Sequence, residues 1–367
     1  MSSSAALEQS VSDSGLASRL GVSLEAVQLT RSSDVIDLHL DTFILRRLFA
    51  YDPLVRHERG PLGRHLMWHS DLPRLNEGGF TGGMWSITTN PFRSAQGRWA
   101  VLQKNIARMR QLVDGSNGRL RFARNVAEYR QAKEAKTHAV FLAVQGGDAL
   151  SAATKGVSTI ADGLLTRVTL VHLLSSVYGA TSSPLSPFRR EKGLTNEGRE
   201  LVTWLNAHRI FVDLAHIHPQ GFWDAVRVHD RSQPLIATHT GVSGVTPHWR
   251  NLDDGQLKAI AETGGTVGII FSEVFLRRPG GPGDTRMIVE HMDYVRRTIG
   301  EDFVSLGSDY DGFISPPADM ANVSMLPRLV QRLLEAGWSD VAIRKALGGN
   351  VLRAFELLRP SANVTFH

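Results

Sequence analysis

The sequence predicts an α/β protein, a (β/α)8 TIM barrel, on three observations. Short runs rich in β-branched residues alternate with longer stretches of helical period, as a parallel sheet under covering helices requires. Eight such runs can be counted, each followed by a helix or a loop. The 367 residues leave room for insertions in a barrel, whose usual size is ~250 residues.

Residues 1–30 read as an N-terminal tail and a short helix, and 31–367 as one barrel domain. The opening, MSSSAALEQSVSDSG, is a loose Ser-rich tail to about Ser14, and 24–29 predicts a short helix leading into the first strand. That strand is 35–41. An irregular stretch from Thr42 to Phe80 leads to the glycine-rich second strand, 83–88. Amphipathic stretches at 98–113 and 126–136 precede the third, 139–145, and the fourth is 167–172. Helical periods at 196–207, 221–228, 254–263 and 287–299 then alternate with strands at 210–216, 235–239, 266–271 and 304–309. A last helical stretch, 339–358, closes the pattern.

Composition narrows the chemistry. There is no Cys, which excludes a disulfide framework, a thiolate metal cage, an Fe–S cluster and a Cys nucleophile, so any metal must be held by His and carboxylates. The formal charge is +5, carried by scattered pairs (Arg46-Arg47, Arg189-Arg190, Arg277-Arg278, Arg296-Arg297) that form no stripe and have no interleaved aromatics. They read as solvated surface, and no nucleic-acid partner is expected. No apolar run approaches the ~20 residues that span a bilayer, and the start lacks a basic end followed by an apolar core. A cytoplasmic protein without a membrane partner is the expectation. The sequence does not reveal oligomeric state, although a homodimer is common for enzymes of this size.

The informative feature is where the polar residues fall. The apolar runs end in His39 and Asp41, Gln145, His172, His216, His239 and Asp309. In a (β/α)8 barrel the carboxyl ends of the strands form the rim where catalytic groups sit. Singly, such a His is more often a hydrogen-bonded structural residue, and such an Asp a helix N-cap. Jointly they place seven polar side chains on one rim. Residues two apart in a strand share a face, so His39 and Asp41 can aim at one cation, while His216 and His239 close neighbouring strands. Imidazole and carboxylate ligands suit zinc or a similar first-row ion, which lowers the pKa of water to ~7. Asp309 suits proton transfer or a substrate ammonium, and His172 suits stabilisation of a carbonyl oxygen. Arg250, in TPHWRNLDD, offers a planar fork for a carboxylate, and a surface salt bridge to Asp253 or Asp254 is the alternative.

The stretches VIDLHLDTF, HSDLPRLNEGGFTGGMWS, VQGGDAL, LVHLLSSVYGAT, VDLAHIHP, PLIATHTGV, PHWRNLDD and GSDYDG, in this order, resemble the renal (membrane) dipeptidase family of zinc peptidases. The resemblance runs from about Asp34 to Leu358. It implies a metal-dependent dipeptidase on a (β/α)8 barrel with two zinc ions. His39 and Asp41 match the pair that holds one ion, and His216 and His239 match the pair that holds the other. His172, Arg250 and Asp309 match the family's substrate-contacting histidine, arginine and aspartate. A dipeptide with a C-terminal D-residue is a reasonable substrate class on the same ground.

At one position the chain departs from the family pattern: the glutamate that bridges both ions is replaced by Gln145. An amide offers one neutral carbonyl oxygen and an NH2 that repels a metal. Two dications about 4 Å apart repel each other strongly once the intervening anion is gone. Fewer bound ions and weak or redirected peptidase activity are expected. The leading reading is therefore a metal-dependent hydrolase acting on a dipeptide or related small amide, with one Zn2+ or two. A non-hydrolytic descendant that binds a peptide-like ligand in the same pocket is the alternative, and another amidohydrolase-type reaction is a third.

Overall fold

The computed structural model describes residues 12–57, 60–153, 163–184, 186 and 192–361. Residues 1–11 of the expected tail and the pair Arg189-Arg190 lie outside the described residues. All strand pairings in the sheet are parallel, in nine strands: β1 (Ile36–Leu40), β2 (Gly82–Thr88), β3 (Leu120–Phe122), β4 (His138–Gln145), β5 (Leu165–Thr169), β6 (Phe211–Asp213), β7 (Ile236–Thr240), β8 (Thr266–Ile269) and β9 (Val304–Leu306). β1 pairs with β2 and β9, and β2 pairs directly with β4, so eight strands close into a barrel. β3 pairs only with the first residues of β4 and lies outside the ring. The (β/α)8 barrel is the predicted fold.

Every residue of the barrel strands is buried, the condition of a parallel sheet covered on one side by helices and filled on the other. The aromatic part of the filling lies towards the amino ends. Phe355, from the helix Asn350–Leu358, packs on Phe141 and Phe211 with ring centroids 4.7 and 4.8 Å away. It joins Ile36, Met84, Ala139 and Ile236 in one apolar cluster. Apolar filling below leaves the polar groups at the opposite mouth. Two glycines make that mouth narrow. A Cβ on Gly268 or Gly307 would stand 2.0 or 1.7 Å from the Thr238 carbonyl oxygen, so only glycine lets β8 and β9 approach β7 here.

Several expected elements shift. The stretch from Thr42 to Phe80 is not irregular throughout: it holds the helices Thr42–Phe49 and Leu72–Glu77, the second opened by Asp71, whose side chain accepts from Arg74 N, with proline in its first turn. A helix over Asp13–Leu20, capped by Ser12, precedes Leu24–Ser32, and another spans Leu326–Glu335. The last helical stretch is split by a π-turn at Lys345–Gly349, where a Cβ on Gly348 would lie 2.6 Å from the Asp34 carbonyl oxygen. Among the described residues no helix is long and apolar enough to cross a membrane.

Candidate metal centre

β1 delivers His39 as its penultimate residue, β4 ends on Gln145, and β7 presents His239. Asp41 follows β1 at the N-cap position of Thr42–Phe49, yet its side chain makes no capping bond and its Oδ1 has no hydrogen-bond partner. The N-cap explanation for Asp41 therefore fails. His172, His216 and Asp309 were expected at strand ends, but each lies three residues beyond its strand. His216 and Asp309 adopt φ of 66° and 61°, which a β-ladder cannot hold. Left-handed backbone at non-glycine residues costs of order 1–3 kcal/mol and clusters at functional sites.

The expected residues converge. His39 Nε2 stands 3.6 Å from both Asp41 Oδ1 and Asp309 Oδ1. His216 Nε2 and His239 Nε2 are 2.8 Å apart, with Gln145 Nε2 at 3.4 and 3.5 Å from them. The two halves touch, since the His39 and His239 rings lie 3.8 Å apart. His39, His239 and Asp309 offer donor atoms within 4.8 Å of one another. His172, only partly exposed, meets the His216 ring edge-on at 4.7 Å. Arg250 is buried and donates from Nη2 to the His239 carbonyl at 2.6 Å. It is therefore no surface salt bridge, and Asp253 caps the next helix instead.

Hydrogen-bond polarity determines what these rings can do. Thr238 Oγ1 donates to Asp213 Oδ2 at 2.7 Å, so at 2.8 Å it must accept from His239 Nδ1. That places the His239 proton on Nδ1 and leaves a lone pair on Nε2, the form a metal ligand needs. His216 Nε2–H then donates to it, and His216 Nδ1 has no partner to oppose a switch of its own proton. Asp213 is further fixed by the Thr169 hydroxyl at 2.5 Å and by the amides of Ala215 and Thr238.

Burial dominates the electrostatics. It holds His39, His216 and His239 below the usual histidine range, and His172 down to about 4, so all four are neutral near pH 7. It lifts Asp309 well above the carboxylate range, reinforced by the Asp41 charge and opposed by Arg250. Burial takes Arg250 down to about 10, opposed by Asp309 and Asp213. Asp37 goes up to about 6 for the same first reason, while its Oδ1 accepts from the amides of His39 and Ser308.

Three groups that anchor this centre are absent from the rim reading of the sequence: Asp213, Thr238 and Arg167. Arg167 is fully buried and donates to His39 Nδ1 at 3.0 Å. The signal was a charged residue inside an apolar run, here LLTRVTLV and FVDLA.

The sequence profile of the membrane dipeptidase family, peptidase family M19, matches residues 24–365. The chain belongs to that family. The family's metallo dipeptidases are hydrolases, and the chain is one of its metallo-hydrolase members. Among solved structures it is similar to the dipeptidase AC, a metallo peptidase of family M19, at 30% identity over 89% of this chain and 98% of that one, with a TM-score of 0.78. It is also similar to a metallo peptidase from Rhodobacter sphaeroides solved with a phosphinate mimic of the dipeptide L-Ala-D-Ala, at 29% identity over 89% and 99%, again at 0.78. A Klebsiella pneumoniae protein described as an uncharacterized protein in the pqqA 5′ region is 33% identical over 262 residues, 70% of this chain and 95% of that one.

Proposed function

We propose that this protein is a zinc-dependent dipeptidase for small dipeptides, including those with a C-terminal D-residue, and that Gln145 makes it a slow one. The observation that carries the reading is the convergence of His39, Asp41, Gln145, His216, His239 and Asp309 in one buried cluster of a family chain. The donor set fits a cation. His39 Nε2, Asp41 Oδ1 and Gln145 Oε1 are buried without hydrogen-bond partners, and each such orphan costs about 1–3 kcal/mol unless something bonds to it. Imidazole and carboxylate together favour zinc among available ions.

His39, Asp41, Gln145, His216 and His239 are the residues that would hold the metal. A divalent ion bound there supplies an activated water and polarises the scissile carbonyl. Arg250, with one of its five donors on the His239 carbonyl, receives the substrate's terminal carboxylate in its fork. His172, neutral by burial, donates N–H to the carbonyl oxygen as charge develops on it. Asp309, whose carboxyl is raised above the usual carboxylate range by burial and the Asp41 charge, relays a proton from the attacking water to the leaving amine. The R. sphaeroides neighbour's L-Ala-D-Ala mimic supports a D-residue at the C-terminal position.

Gln145 favours a second reading, a descendant that binds a peptide-like ligand without cleaving it. A panel of L-L and L-D dipeptides with added zinc separates the two. Turnover that is lost in His216→Ala supports the dipeptidase. Saturable ligand binding with no turnover for any dipeptide supports the descendant.

A further inference from the structure

One cavity takes no part in the metal centre. It has a volume of about 360 Å3 and is lined chiefly by Phe43, Arg46, Arg47, Tyr51, Arg108 and Gln111, from the helices Thr42–Phe49 and Ala95–Asp114 and the turn after the first. That is the size of a small-molecule site.

The lining carries three guanidiniums and no carboxylate. Like charges gathered around one space repel each other unless a counter-charge answers them. Little in the protein does so here. Arg46 has Asp52 at 3.7 Å, with both side chains at least a third exposed, a screened pair of small worth. Arg47, half-buried, places one of its five donors on the Thr88 carbonyl at the end of β2. Arg108 is exposed and makes no ion pair among the described residues. Burial pushes the Arg47 guanidinium down, opposed by Asp41 and reinforced by the charges of Arg108 and Arg93.

The helix dipole explains part of this arrangement. Arg46 and Arg47 stand in the last turn of Thr42–Phe49, where positive charge is favourable. It does not explain Arg108, which comes from the neighbouring helix and lies outside that helix's last turn. Beside the arginines the cavity offers Gln111 and two buried aromatic residues, Phe43 and Tyr51. The Tyr51 hydroxyl is already engaged, donating to the Ser70 carbonyl at 2.8 Å and accepting from Arg74 Nη2 at 3.3 Å. What Tyr51 has left for a ligand is its ring.

A phosphomonoester meets each of these features. Its phosphoryl group carries close to two negative charges at neutral pH and three strong acceptor oxygens, so three guanidiniums can each make a charge-assisted bond to it. A carboxylate has one charge and two oxygens for the same three forks. The cavity is larger than a phosphoryl group and leaves room for an organic part against Phe43 and Tyr51.

We infer that Arg46, Arg47 and Arg108 form a binding site for a phosphomonoester, separate from the metal centre, in which Phe43 and Tyr51 receive the organic group. Two sources carry such a phosphoryl group, a soluble ester and the headgroup of phosphatidic acid. The exposed Leu48 and Phe49, next in the chain to Arg47, are apolar residues of the kind that touch a bilayer surface.

Isothermal titration calorimetry of the full-length protein at constant ionic strength tests the site, with phenyl phosphate as the probe and benzoate beside it. The expected result is one phenyl phosphate per chain with a Kd of about 1 mM or tighter, and benzoate weaker by roughly tenfold or more. Arg108→Gln and Arg46→Gln should each weaken phenyl phosphate by roughly tenfold. Arg231→Gln, at an exposed arginine paired with Glu262, should change it by less than about twofold. Arg108 lies outside the metal centre, so a loss in its variant assigns the binding to this cavity and not to a metal ion. Co-sedimentation with phosphatidic acid vesicles separates the two sources. Capture that depends on Arg108 supports the site with the lipid as its source, and phenyl phosphate binding without capture supports it with a soluble ester. Binding of neither probe, binding that Arg108→Gln and Arg46→Gln leave unchanged, or benzoate bound as tightly as phenyl phosphate would each overturn the inference. None of these outcomes bears on the dipeptidase reading.

Discussion

Replacing Thr238 by valine isolates the relay behind His239. The hydroxyl is the only group removed, and the branched shape stays the same. In the native protein Thr238 Oγ1 accepts from His239 Nδ1 at 2.8 Å and donates to Asp213 Oδ2 at 2.7 Å. Asp213 keeps three other donors, the Thr169 hydroxyl and the amides of Ala215 and Thr238, so its loss is small. His239 is fully buried and is left with an unpaired Nδ1–H, a cost of about 1–3 kcal/mol. It avoids that cost by moving the proton to Nε2, which removes the lone pair an ion needs. The expected outcome is therefore a zinc affinity lower by roughly ten- to a hundredfold, since about 1.4 kcal/mol is a factor of ten. Chelator competition measures the affinity, and urea unfolding of the metal-free protein checks that the barrel persists. An affinity within threefold of the native value, in a protein of unchanged stability, would refute the relay argument.

Three further outcomes are expected. Gln145→Glu places an anion where an amide nitrogen now lies 3.4 and 3.5 Å from two imidazole nitrogens. Metal affinity should rise by at least about tenfold, and equilibrium dialysis yielding no gain would contradict this account of the amide. Arg250→Lys keeps the charge but loses the planar fork, so KM for dipeptides should rise by roughly ten- to a hundredfold with a smaller change in kcat; an unchanged KM in steady-state kinetics would remove Arg250 from carboxylate binding. Stability should fall on acidification through His138. That ring donates from Nδ1 to the Phe80 carbonyl at 3.1 Å and accepts from Trp85 Nε1 at 3.3 Å, so it folds only neutral, and burial pushes it down to about 4. A depressed folded value means that stability is full above the unfolded pKa of ~6.5 and is lost as pH falls through the window down to about 4, roughly 3 kcal/mol in all. Urea midpoints at pH 7, 5.5 and 4.5 should drop less steeply in His138→Gln, and parallel slopes would count against it.

The barrel and the rim were readable for a common reason. A parallel strand buried on both faces is an apolar run, and a polar residue closing such a run stands out against it, as His39, Gln145 and His239 do. His216 and Asp309 were found as well, but as strand ends, because positive φ leaves no mark in the residue type. The helix Leu326–Glu335 was missed, although it carries a clear apolar face with proline in its first turn. The three-residue β3 and the eight-residue Thr42–Phe49 are too short for periodicity to separate from irregular chain. Arg167 and Asp213 were visible as charges inside apolar runs but could not be assigned. The groups that explain them, His39, Ser86 and Thr238, stand 128, 81 and 25 positions away from their partners.

The order of apolar runs, the absence of cysteine and the spacing of polar residues by themselves pointed to a (β/α)8 barrel and to the side chains gathered at its mouth, whereas the family was legible only as a resemblance carried by the ordered motifs. Those properties follow from local periodicity and composition, which the chain carries residue by residue. Tertiary structure alone decided which nitrogen of each imidazole bears the proton. That depends on whether a hydroxyl, an open space or a guanidinium faces the ring's second nitrogen, and barrel closure brings those neighbours together from distant parts of the chain.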